Sequence, residues 1–582
     1  MILAIDTEYE PVNPAWAKLR SYSYSLEDKS ARFVEWDQEG RARAHLQSLL
    51  DSADTIVMHN QVSDSTILSQ HGVIIPYSKL HCTLVMAHTL ACFKSISLKS
   101  LGYELLGRHW STFEETMDGR DIMTLPASEF YEYACTDADV TRRLYPILKE
   151  RLLKEGLWHI YEDIERPLFQ IVVSMQLEGV VVDWDHLKKL GVEYESVAAT
   201  LREELITASN GQVKNPNSTK QASAFIYGTL GYPKQKNKEG RVTFDSKAVA
   251  RLRTIKSHPF LDKYPLFKQT AKLKSTYTDG LPHLMCPHPG CGRLHPVFKQ
   301  FGAATGRFSS EWPNFQNLPV RTEQGARIRE AFTVPPGALW LGVDASQLEL
   351  RTLAAITRDP KLTAFFQECA ALYKHERAAR LDKGDIHSWV AQLAGIPRRP
   401  TKILTYGRMF GQGKRAAYTE LCVAALDAGE TPPSFATFEV FHRKHAEILS
   451  ALPRWEAMCR QSILNKGYVE TFYGRRVYTS DLQGGGWRSA LSQGPQGTAA
   501  DWIKLTMPRV FALCSEYKYS LFGQVHDELN IVVPPEALTR PGHVGTVHAF
   551  RHQLKRTMEE TVRWQVPVEV EIKVGRTWSQ AH

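Results

Sequence analysis

The sequence predicts an α/β fold divided into several domains, and three observations support this. The chain of 582 residues is too long for one hydrophobic core. Short apolar runs typical of buried strands end at acidic residues in separate parts of the chain, and longer stretches with helical spacing lie between them. Hydrophobic residues make up 43% and charged residues 23%, as in ordinary globular proteins, so we expect neither a disordered nor a transmembrane chain.

Charge and cysteine usage indicate the kind of partner and compartment. The 71 lysines and arginines exceed the 63 acids and give a net charge of +8, which fits a polyanionic partner. Nine irregularly spaced cysteines indicate a reducing compartment rather than a disulfide framework. The chain opens on the apolar run MILAI without a basic leader, so we expect a cytoplasmic protein with no membrane contact.

The stretch LWLGVDASQLELRTLAAI, at 339–356, combines a strand, an acid and a helix. Its apolar start is short and follows two prolines and a glycine, which is typical of a core strand ending at Asp344. Leucines and alanines at helical spacing come next. On its own, Asp344 is better explained as a helix N-cap than as a cation ligand.

A second acidic stretch changes that interpretation. In FGQVHDELNIVV, at 522–533, Asp527 and Glu528 interrupt an apolar run, and adjacent buried acids are costly unless a cation neutralises them. If Asp344 and Asp527 lie on neighbouring strands, they could bridge two Mg²⁺ ions about 4 Å apart, an arrangement used in phosphoryl transfer. The pair therefore predicts a phosphoryl-transfer site.

Three further acidic clusters lie in the first quarter of the chain. Asp6 and Glu8 end the opening strand, and Asp64 follows a short apolar run. Tyr133 and Asp137 share one face of a helical stretch because four residues separate them. Each cluster alone fits a solvated surface. Together the four acids could hold two metal ions, with Tyr133 orienting a water molecule for attack on a phosphodiester.

A stripe of two cations and two aromatic rings is predicted on one helix. Arg398, Lys402, Tyr406 and Phe410 recur every four residues, a pattern that is unusual for a core helix. The cations could hold a triphosphate while the rings meet a base. Pro400 fits only the first turn, which places the cationic end where the helix dipole also favours anions.

Four motifs stand out by their length and residue choice: DASQLELR (344–351), VHDE (525–528), TGRFSSEWPNFQNLPVR (305–321) and RRPTKILTYGRMFGQG (398–413). They resemble the signature motifs of the family-A DNA polymerases, the DNA polymerase I family. The N-terminal acids, with SLKSLGYELLG (97–107), resemble the DEDDy-type 3′–5′ exonuclease domain that precedes the polymerase in this family. The resemblance covers nearly the whole chain.

The resemblance implies a ribonuclease-H-like exonuclease domain followed by a right-hand polymerase with thumb, palm and fingers. The implied ranges are 1–155 for the exonuclease domain, 156–285 for the thumb, 286–357 for the first part of the palm, 358–484 for the fingers and 485–582 for the second part of the palm.

The resemblance also implies roles for individual residues. Asp344 and Asp527 would hold two Mg²⁺ ions, with support from Glu528 and His526. Two further ions, for which Mn²⁺ could substitute, would be held by Asp6, Glu8, Asp64 and Asp137, with Tyr133 beside them. The implied nucleotide-binding residues are Gln347, Glu349, His387, Arg398, Lys402 and Tyr406. The implied DNA contacts are Arg307, Gln316, Asn317, Phe410, Arg488, Gln496 and His526. Ser63 and Ser492 depart from the family pattern, which has an aromatic residue and an asparagine at those positions.

The sequence therefore predicts a template-dependent DNA polymerase that extends primer–template DNA with dNTPs and proofreads with its exonuclease. We expect a monomer, and no motif identifies a replisome partner. A replicative enzyme of a phage or mobile element is indicated because no 5′-nuclease domain is present and the interval between His387 and Arg398 is short. The ending VGRTWSQAH is very like the family's natural end.

Two alternative functions remain. One is a nuclease whose polymerase half only clamps nucleic acid, which would require a loss among the metal acids or Lys402. The other is a single-subunit RNA polymerase. Glu349 argues against the second, because a bulky acid at that position would crowd a ribose 2′-hydroxyl.

The stretch HLMCPHPGCGRLH, at 283–295, offers Cys286, Cys291 and three histidines as zinc ligands. The alternative is a Gly/Pro hairpin leading into the next strand. Four residues between the cysteines is loose spacing for a zinc finger, and no second cysteine pair follows. The sequence therefore favours the hairpin.

Overall fold

The computed structural model describes residues 1–27, 30–237, 240–319, 323–375, 385–479, 487–539 and 543–582. Two residues of the motifs above, Val320 and Arg321, lie outside these ranges, as does the predicted boundary at residue 484. The structure is an α/β arrangement with several separate cores, which confirms the predicted fold class. None of the described helices is both long enough and apolar enough to cross a membrane.

The N-terminal unit is a five-stranded sheet flanked by helices, with strand order β3-β2-β1-β4-β5. Strand β1 is central: it pairs with β2 on one side in antiparallel orientation and with β4 on the other side in parallel orientation. The elements are β1 (Ile2–Tyr9), β2 (Leu19–Ser25), β3 (Ala31–Glu35), α1 (Arg41–Ser52), β4 (Thr55–Met58), α2 (Gln61–Gln70), β5 (Leu80–Cys82), α3 (Thr83–Leu90), α4 (Leu98–Leu106), α5 (Phe113–Met117) and α6 (Ala127–Lys154).

The segment that follows the N-terminal unit contributes to two separate hydrophobic cores. Residues 201–267 form a small helical core of their own, whereas residues 168–194 pack into the core of the large central sheet. The elements are α7 (Phe169–Glu178), β6 (Val180–Val182), α8 (Trp184–Ala208), α9 (Thr219–Ala224), β7 (Gln235–Lys236), β8 (Val242–Thr243), α10 (Ser246–Ile255) and α11 (Pro259–Leu273). This packing differs from the predicted thumb range of 156–285, because the short strand β6 pairs with strands that lie beyond residue 285.

The predicted strand, turn and helix around Asp344 are present. The buried strand β13 ends one residue after Asp344, and the helix α13 begins at Leu348. The N-cap of α13 is Gln347, so the N-cap explanation of Asp344 is wrong. The elements of this part are β9 (Arg293–Leu294), β10 (Val297–Lys299), β11 (Ser309–Glu311), α12 (Glu323–Glu330), β12 (Phe332–Thr333), β13 (Leu339–Ala345) and α13 (Leu348–Thr357).

A mainly helical part follows. The helix that carries the predicted stripe begins at Arg398, so Pro400 lies in its first turn as predicted. The elements are α14 (Pro360–His375), α15 (Ile386–Ala394), α16 (Arg398–Met409), α17 (Lys414–Asp427), α18 (Phe435–Ile448), α19 (Ala451–Lys466), β14 (Tyr468–Glu470) and β15 (Arg476–Tyr478).

The last part returns to the central sheet, an antiparallel sheet of order β16-β17-β13-β18. Its elements are α20 (Trp487–Tyr517), β16 (Ser520–Val525), β17 (Glu528–Val533), α21 (Pro535–Thr539), α22 (His543–Glu559) and β18 (Val570–Gly575). Strands β13 and β17 are neighbours, so the two acidic stretches meet where β13 ends and β17 begins.

Candidate functional site

The central site is formed where β13 ends beside the turn between β16 and β17. Asp344 lies opposite Glu528 in the strand register, and Asp527 occupies the turn. Asp344 is on β13, whereas Asp527 lies in the turn that leads into the neighbouring strand β17, so the two acids meet although only Asp344 is on a strand. Glu528 is buried, accepts a hydrogen bond from Trp578 Nε1 at 2.8 Å and pairs with His582 Nδ1.

The acids of the central site raise one another's pKa. Burial and the charge of Asp344 raise the pKa of Asp527 to about 8, while Arg307 opposes this effect. Asp344 is exposed to solvent, yet the surrounding protein displaces enough water, with help from Glu528, to raise its pKa to about 7. Such a concentration of carboxylate charge fits a bound divalent cation, for which oxygen atoms are the preferred ligands of Mg²⁺.

Side chains from distant parts of the chain hold this site in place. Gln316 Oε1 accepts from the backbone N–H of His526 at 2.9 Å, and Gln316 Nε2 donates to the carbonyl oxygen of Gln524 at 2.9 Å. Arg307 Nη2 pairs with Glu349 Oε1 at 2.6 Å. Gln316 therefore fastens the turn that carries Asp527.

A chain of contacts links the central site to the stripe on α16. Gln347 Oε1 accepts from the backbone N–H of Ile386 at 3.0 Å. The next residue, His387, lies with its ring 5.2 Å from that of Tyr406, and Tyr406 stacks on Phe410 at 5.9 Å. The structure therefore brings the acids and the aromatic part of the stripe into one region, as the sequence predicts.

The cationic end of the stripe carries a contact that the sequence analysis missed. Arg398 Nε pairs with Asp385 Oδ2 at 2.6 Å, and Asp385 also caps α15 by accepting from Ser388 N–H at 3.1 Å. Lys402 is exposed on the same face. An aspartate just before a helical pattern is an N-cap signal, so the cap could have been found, but its bond to Arg398 could not.

The remaining predicted DNA contacts lie around the same region. Arg488 lies on the first turn of α20, and a side chain at Gly411 would clash with its backbone, so the end of α16 abuts α20 there. Gln496 is half-buried on the same helix, and Asn317 and Phe410 are exposed. Ser492 donates to the carbonyl oxygen of Ser489 at 3.0 Å.

The N-terminal site gathers the other predicted acids. Asp6 and Glu8 lie on β1, Asp64 on α2, and Tyr133 and Asp137 on α6. Burial, followed by the negative charge of Asp137, raises the pKa of Asp6 and of Glu8 well above the usual range. These five side chains are therefore brought together, as the sequence predicts.

Hydrogen bonds fix two of these acids. Asp64 Oδ1 accepts from the backbone N–H and the hydroxyl of Thr7 at 3.1 and 2.6 Å. Asp137 Oδ1 accepts from Lys99 Nζ and Trp110 Nε1, both at 2.5 Å. Across the described ranges, no three of the acids at either site have ligand oxygens within 4.8 Å of one another. Their oxygen donors and mutual repulsion nevertheless fit a divalent cation.

Lys99 and Ser63 add features that the sequence analysis did not interpret. The Lys99 ammonium lies 4.3 Å from the ring centroid of Tyr133 and 4.2 Å from that of Trp110. The Ser63 side chain, at the position where the family pattern has an aromatic residue, opposes the rise that burial causes in the pKa of the Tyr9 phenol. Both features depend on the packing of separate elements, which has no signal in a local sequence pattern.

The raised pKa of Asp527 makes the stability of the metal-free protein depend on pH. A carboxyl group with a pKa of about 8 in the folded protein and 3.8 when unfolded stabilises the fold fully below the lower value, and this contribution is lost as pH rises through the higher one. In metal-free buffer, we expect Asp527→Asn to gain stability relative to the parent between about pH 5 and about pH 8, by less than about 1.4 kcal/mol per pH unit.

Denaturant titrations at each pH measure this difference. The matched control is Glu150→Gln, since Glu150 is an exposed acid on α6 away from the central site. Its difference from the parent should stay constant over the same range. A pH-independent difference for Asp527→Asn would contradict the raised pKa.

Comparisons with known proteins agree with this geometry. Residues 184–580 match the family described as DNA polymerase family A, and residues 2–153 match the family described as 3′-5′ exonuclease. The chain is 34% identical over 463 residues to the thermostable DNA polymerase I of Thermus thermophilus, covering 78% of this chain and 52% of that protein. It is 27% identical over 599 residues to DNA polymerase I of Borreliella burgdorferi, covering 100% of this chain and 62% of that protein.

A solved structure is also similar over the full length. It is the polymerase domain of Pol1 from M. smegmatis in complex with DNA primer–template and dNTP, with a TM-score of 0.80, 25% identity, and coverage of 100% of this chain and 96% of that chain. The chain spans about half the length of the first curated relatives that it matches.

Proposed function

We propose that this chain, which belongs to DNA polymerase family A and carries a 3′–5′ exonuclease domain, extends a DNA primer along a template with dNTPs and edits the primer end. The observation that carries the proposal is the series of contacts that links the acids of the central site to the stripe on α16. Gln347, three residues after Asp344, bonds to the start of α15, and His387 on that helix meets Tyr406. A nucleotide on α16 would therefore have its phosphates near the acids.

Each group of the central site has a task in this proposal. Asp344 and Asp527 would hold Mg²⁺ ions, which when bound activate the primer hydroxyl and stabilise the leaving oxygen. The exposed Lys402 binds the triphosphate as a point charge, and Arg398 joins it by exchanging its bond to Asp385 for the phosphate. Tyr406 and Phe410, already stacked, offer a surface for the base.

Other residues contact the primer–template end in this proposal. Arg307, Gln316 and Asn317 contact the minor groove and sugar–phosphate, where acceptors are nearly the same for every correct pair, so they test pair geometry without reading sequence. Arg488 and Gln496 on α20 contact the template or primer. His526 donates its backbone N–H to Gln316, and the turn that contains His526 faces the primer end in this proposal.

The N-terminal site performs editing in this proposal. Asp6, Glu8, Asp64 and Asp137 would hold two Mg²⁺ or Mn²⁺ ions, and Tyr133 orients the attacking water. Lys99 compensates part of the negative charge, since it pairs with Asp137 and faces Tyr133. Release of Lys99 from Asp137 frees a carboxylate oxygen for a cation.

We further propose that the enzyme acts as a monomer in the cytoplasm of a cell, as the replicative polymerase of a phage or mobile element. The short interval between His387 and Arg398 supports the last point. The domain ranges given above also stay proposals, with residues 168–182 assigned to the palm rather than to the thumb because of the pairing of β6.

The test is incubation of a labelled primer–template with Mg²⁺ under three conditions. Without nucleotides the primer should shorten, with dNTPs it should be copied to the template end, and with ribonucleotides it should not be extended. Extension with ribonucleotides would favour a single-subunit RNA polymerase. Shortening under all three conditions would favour a nuclease with a non-polymerising half.

Glu349 is expected to select the sugar of the incoming nucleotide. Its carboxylate is held by Arg307 at 2.6 Å, so a ribose 2′-hydroxyl meets a side chain that cannot turn away. We expect Glu349→Ala to raise ribonucleotide use relative to dNTP use by roughly ten- to a hundred-fold, equivalent to about 1–3 kcal/mol. Single-nucleotide incorporation with matched dNTP and ribonucleotide measures the ratio.

The matched control is Glu349→Gln, which keeps the size of the side chain and removes its charge. If size excludes the hydroxyl, this variant should remain selective for dNTPs. An unchanged ratio in Glu349→Ala would place the selection elsewhere.

A further inference from the structure

One group of metal-ligating atoms lies outside both sites already described. Within the described ranges, Cys286, Cys291 and His295 are the residues whose ligand atoms all lie within 4.8 Å of one another. The Cys291 sulfur is 3.8 Å from His295 Nε2. A tetrahedral zinc ion with Zn–S bonds of about 2.3 Å and Zn–N bonds of about 2.0 Å separates its ligand atoms by roughly 3.5–3.8 Å.

The chain folds sharply to bring these atoms together. Gly290 and Gly292 have φ of 75° and 59°, values that favour glycine, and they flank Cys291. The backbone N–H of Cys286 donates to the carbonyl oxygen of Arg293 at 3.0 Å, which closes the loop onto β9. The sequence favours a Gly/Pro hairpin over zinc here, and the glycine turn seen in the structure is compatible with both.

Neighbouring groups orient two of the ligands. His295 Nδ1 bonds to the carbonyl oxygen of Gln176 at 2.9 Å, which makes Nδ1 the protonated nitrogen and leaves Nε2 free to face Cys291. Metal-bound histidines in proteins are usually fixed in this way. The backbone N–H of Cys291 donates to the carbonyl oxygen of His288 at 3.1 Å, which fixes the backbone that carries the Cys291 sulfur.

We propose that Cys286, Cys291 and His295 bind a structural zinc ion, with the fourth position taken by water or by the nearby His288. Two sulfur ligands and one imidazole suit Zn²⁺ rather than Mg²⁺, which prefers oxygen. The ion is separate from the ions of the two catalytic sites.

The position of His295 indicates what the ion does. Its carbonyl oxygen accepts from Asn13 Nδ2 at 2.6 Å, and its ring contacts Trp16 edge-on at 5.6 Å. Strand β9, just before it, pairs with β6 of the central region. The zinc loop therefore lies where the N-terminal unit meets the central region, and metal binding stabilises this junction.

The test uses the whole chain expressed with zinc and then desalted into excess Mg²⁺, which displaces zinc from the oxygen ligands of the carboxylate sites. Elemental analysis should find an equimolar amount of zinc in the parent and at least a ten-fold loss in Cys286→Ser and Cys291→Ser. The matched control is Cys92→Ser, since Cys92 is an exposed free cysteine outside the cluster. This variant should keep its zinc.

A second measurement on the parent does not depend on the folding of any variant. Replacement of zinc by Co²⁺ should give a thiolate-to-cobalt charge-transfer band, which the carboxylates of the catalytic sites cannot produce. The proposal is overturned if this band is absent, if the cysteine variants hold as much zinc as the parent, or if mass spectrometry finds a disulfide between Cys286 and Cys291.

Discussion

Asp527→Asn is expected to abolish primer extension and to leave 3′–5′ degradation of single strands intact. The substitution removes one of the two acids proposed to hold the metal ions, whose stabilisation of developing charge is worth several kcal/mol. At 1.36 kcal/mol per factor of ten, the rate of extension should fall by about a thousand-fold or more. Single-turnover extension of a labelled primer measures this loss, and shortening of the same strand without nucleotides reports the second activity.

The reciprocal variant completes the test. Asp6→Ala combined with Glu8→Ala should stop degradation and leave extension, because these acids lie on β1 of the N-terminal unit. Glu571→Gln is the control for a neutralised acid near Asp344, and it should keep both activities. Loss of both activities from either site variant would contradict the separation of the two sites.

The residues that could be predicted from the sequence are those with a local pattern. Asp344 and Asp527 end apolar runs, and the four residues of the α16 stripe recur at helical spacing, so each position follows from period and burial alone. The acids of the N-terminal site have the same property. The fold class, the acids and the stripe could therefore be predicted from local patterns, whereas the other nucleotide and DNA contacts were implied only by the resemblance to the family.

Other contacts were not accessible because they join positions far apart in the chain. The bonds of Lys99 to Asp137 and of Arg307 to Glu349 depend on how separate elements pack, and neither partner has a distinctive neighbourhood in sequence. The zinc loop illustrates the same limit. The spacing of the two cysteines argued against a zinc site. The pairing of β9 with β6, which the sequence does not reveal, places the loop beside Gln176, the hydrogen-bond partner of His295.

A buried network of charges also joins positions that are far apart in the chain. We expect a substitution that breaks it to lower the free energy of unfolding strongly. Glu165 accepts from Arg475 Nη2 and Lys504 Nζ, both at 2.6 Å, and from Gln300 Nε2 at 2.6 Å. Arg475 also pairs with Asp501 at 2.7 Å. These ion-paired side chains are at most 2% exposed. The network joins the end of the N-terminal unit to the β14–β15 hairpin and to α20.

The pKa of Glu165 shows how strongly its ionised form depends on its partners. Burial alone would raise its pKa, but Lys504 and Arg475 outweigh burial and lower the pKa to about 2. In turn, burial lowers the pKa of Lys504 to about 8, although Glu165 opposes the shift. Removal of Glu165 would leave two buried cations with the single remaining charge of Asp501.

Glu165→Gln should therefore lower the free energy of unfolding by about 3–5 kcal/mol, the usual cost of breaking a buried ion pair on one side. The urea midpoint of the unfolding transition measures this loss. The control is Glu456→Gln, which removes an exposed helical pair with Arg460 and should cost only about 0.3–0.5 kcal/mol. Equal losses for the two variants would mean that water reaches the network, because only solvation could then replace the charge of Glu165.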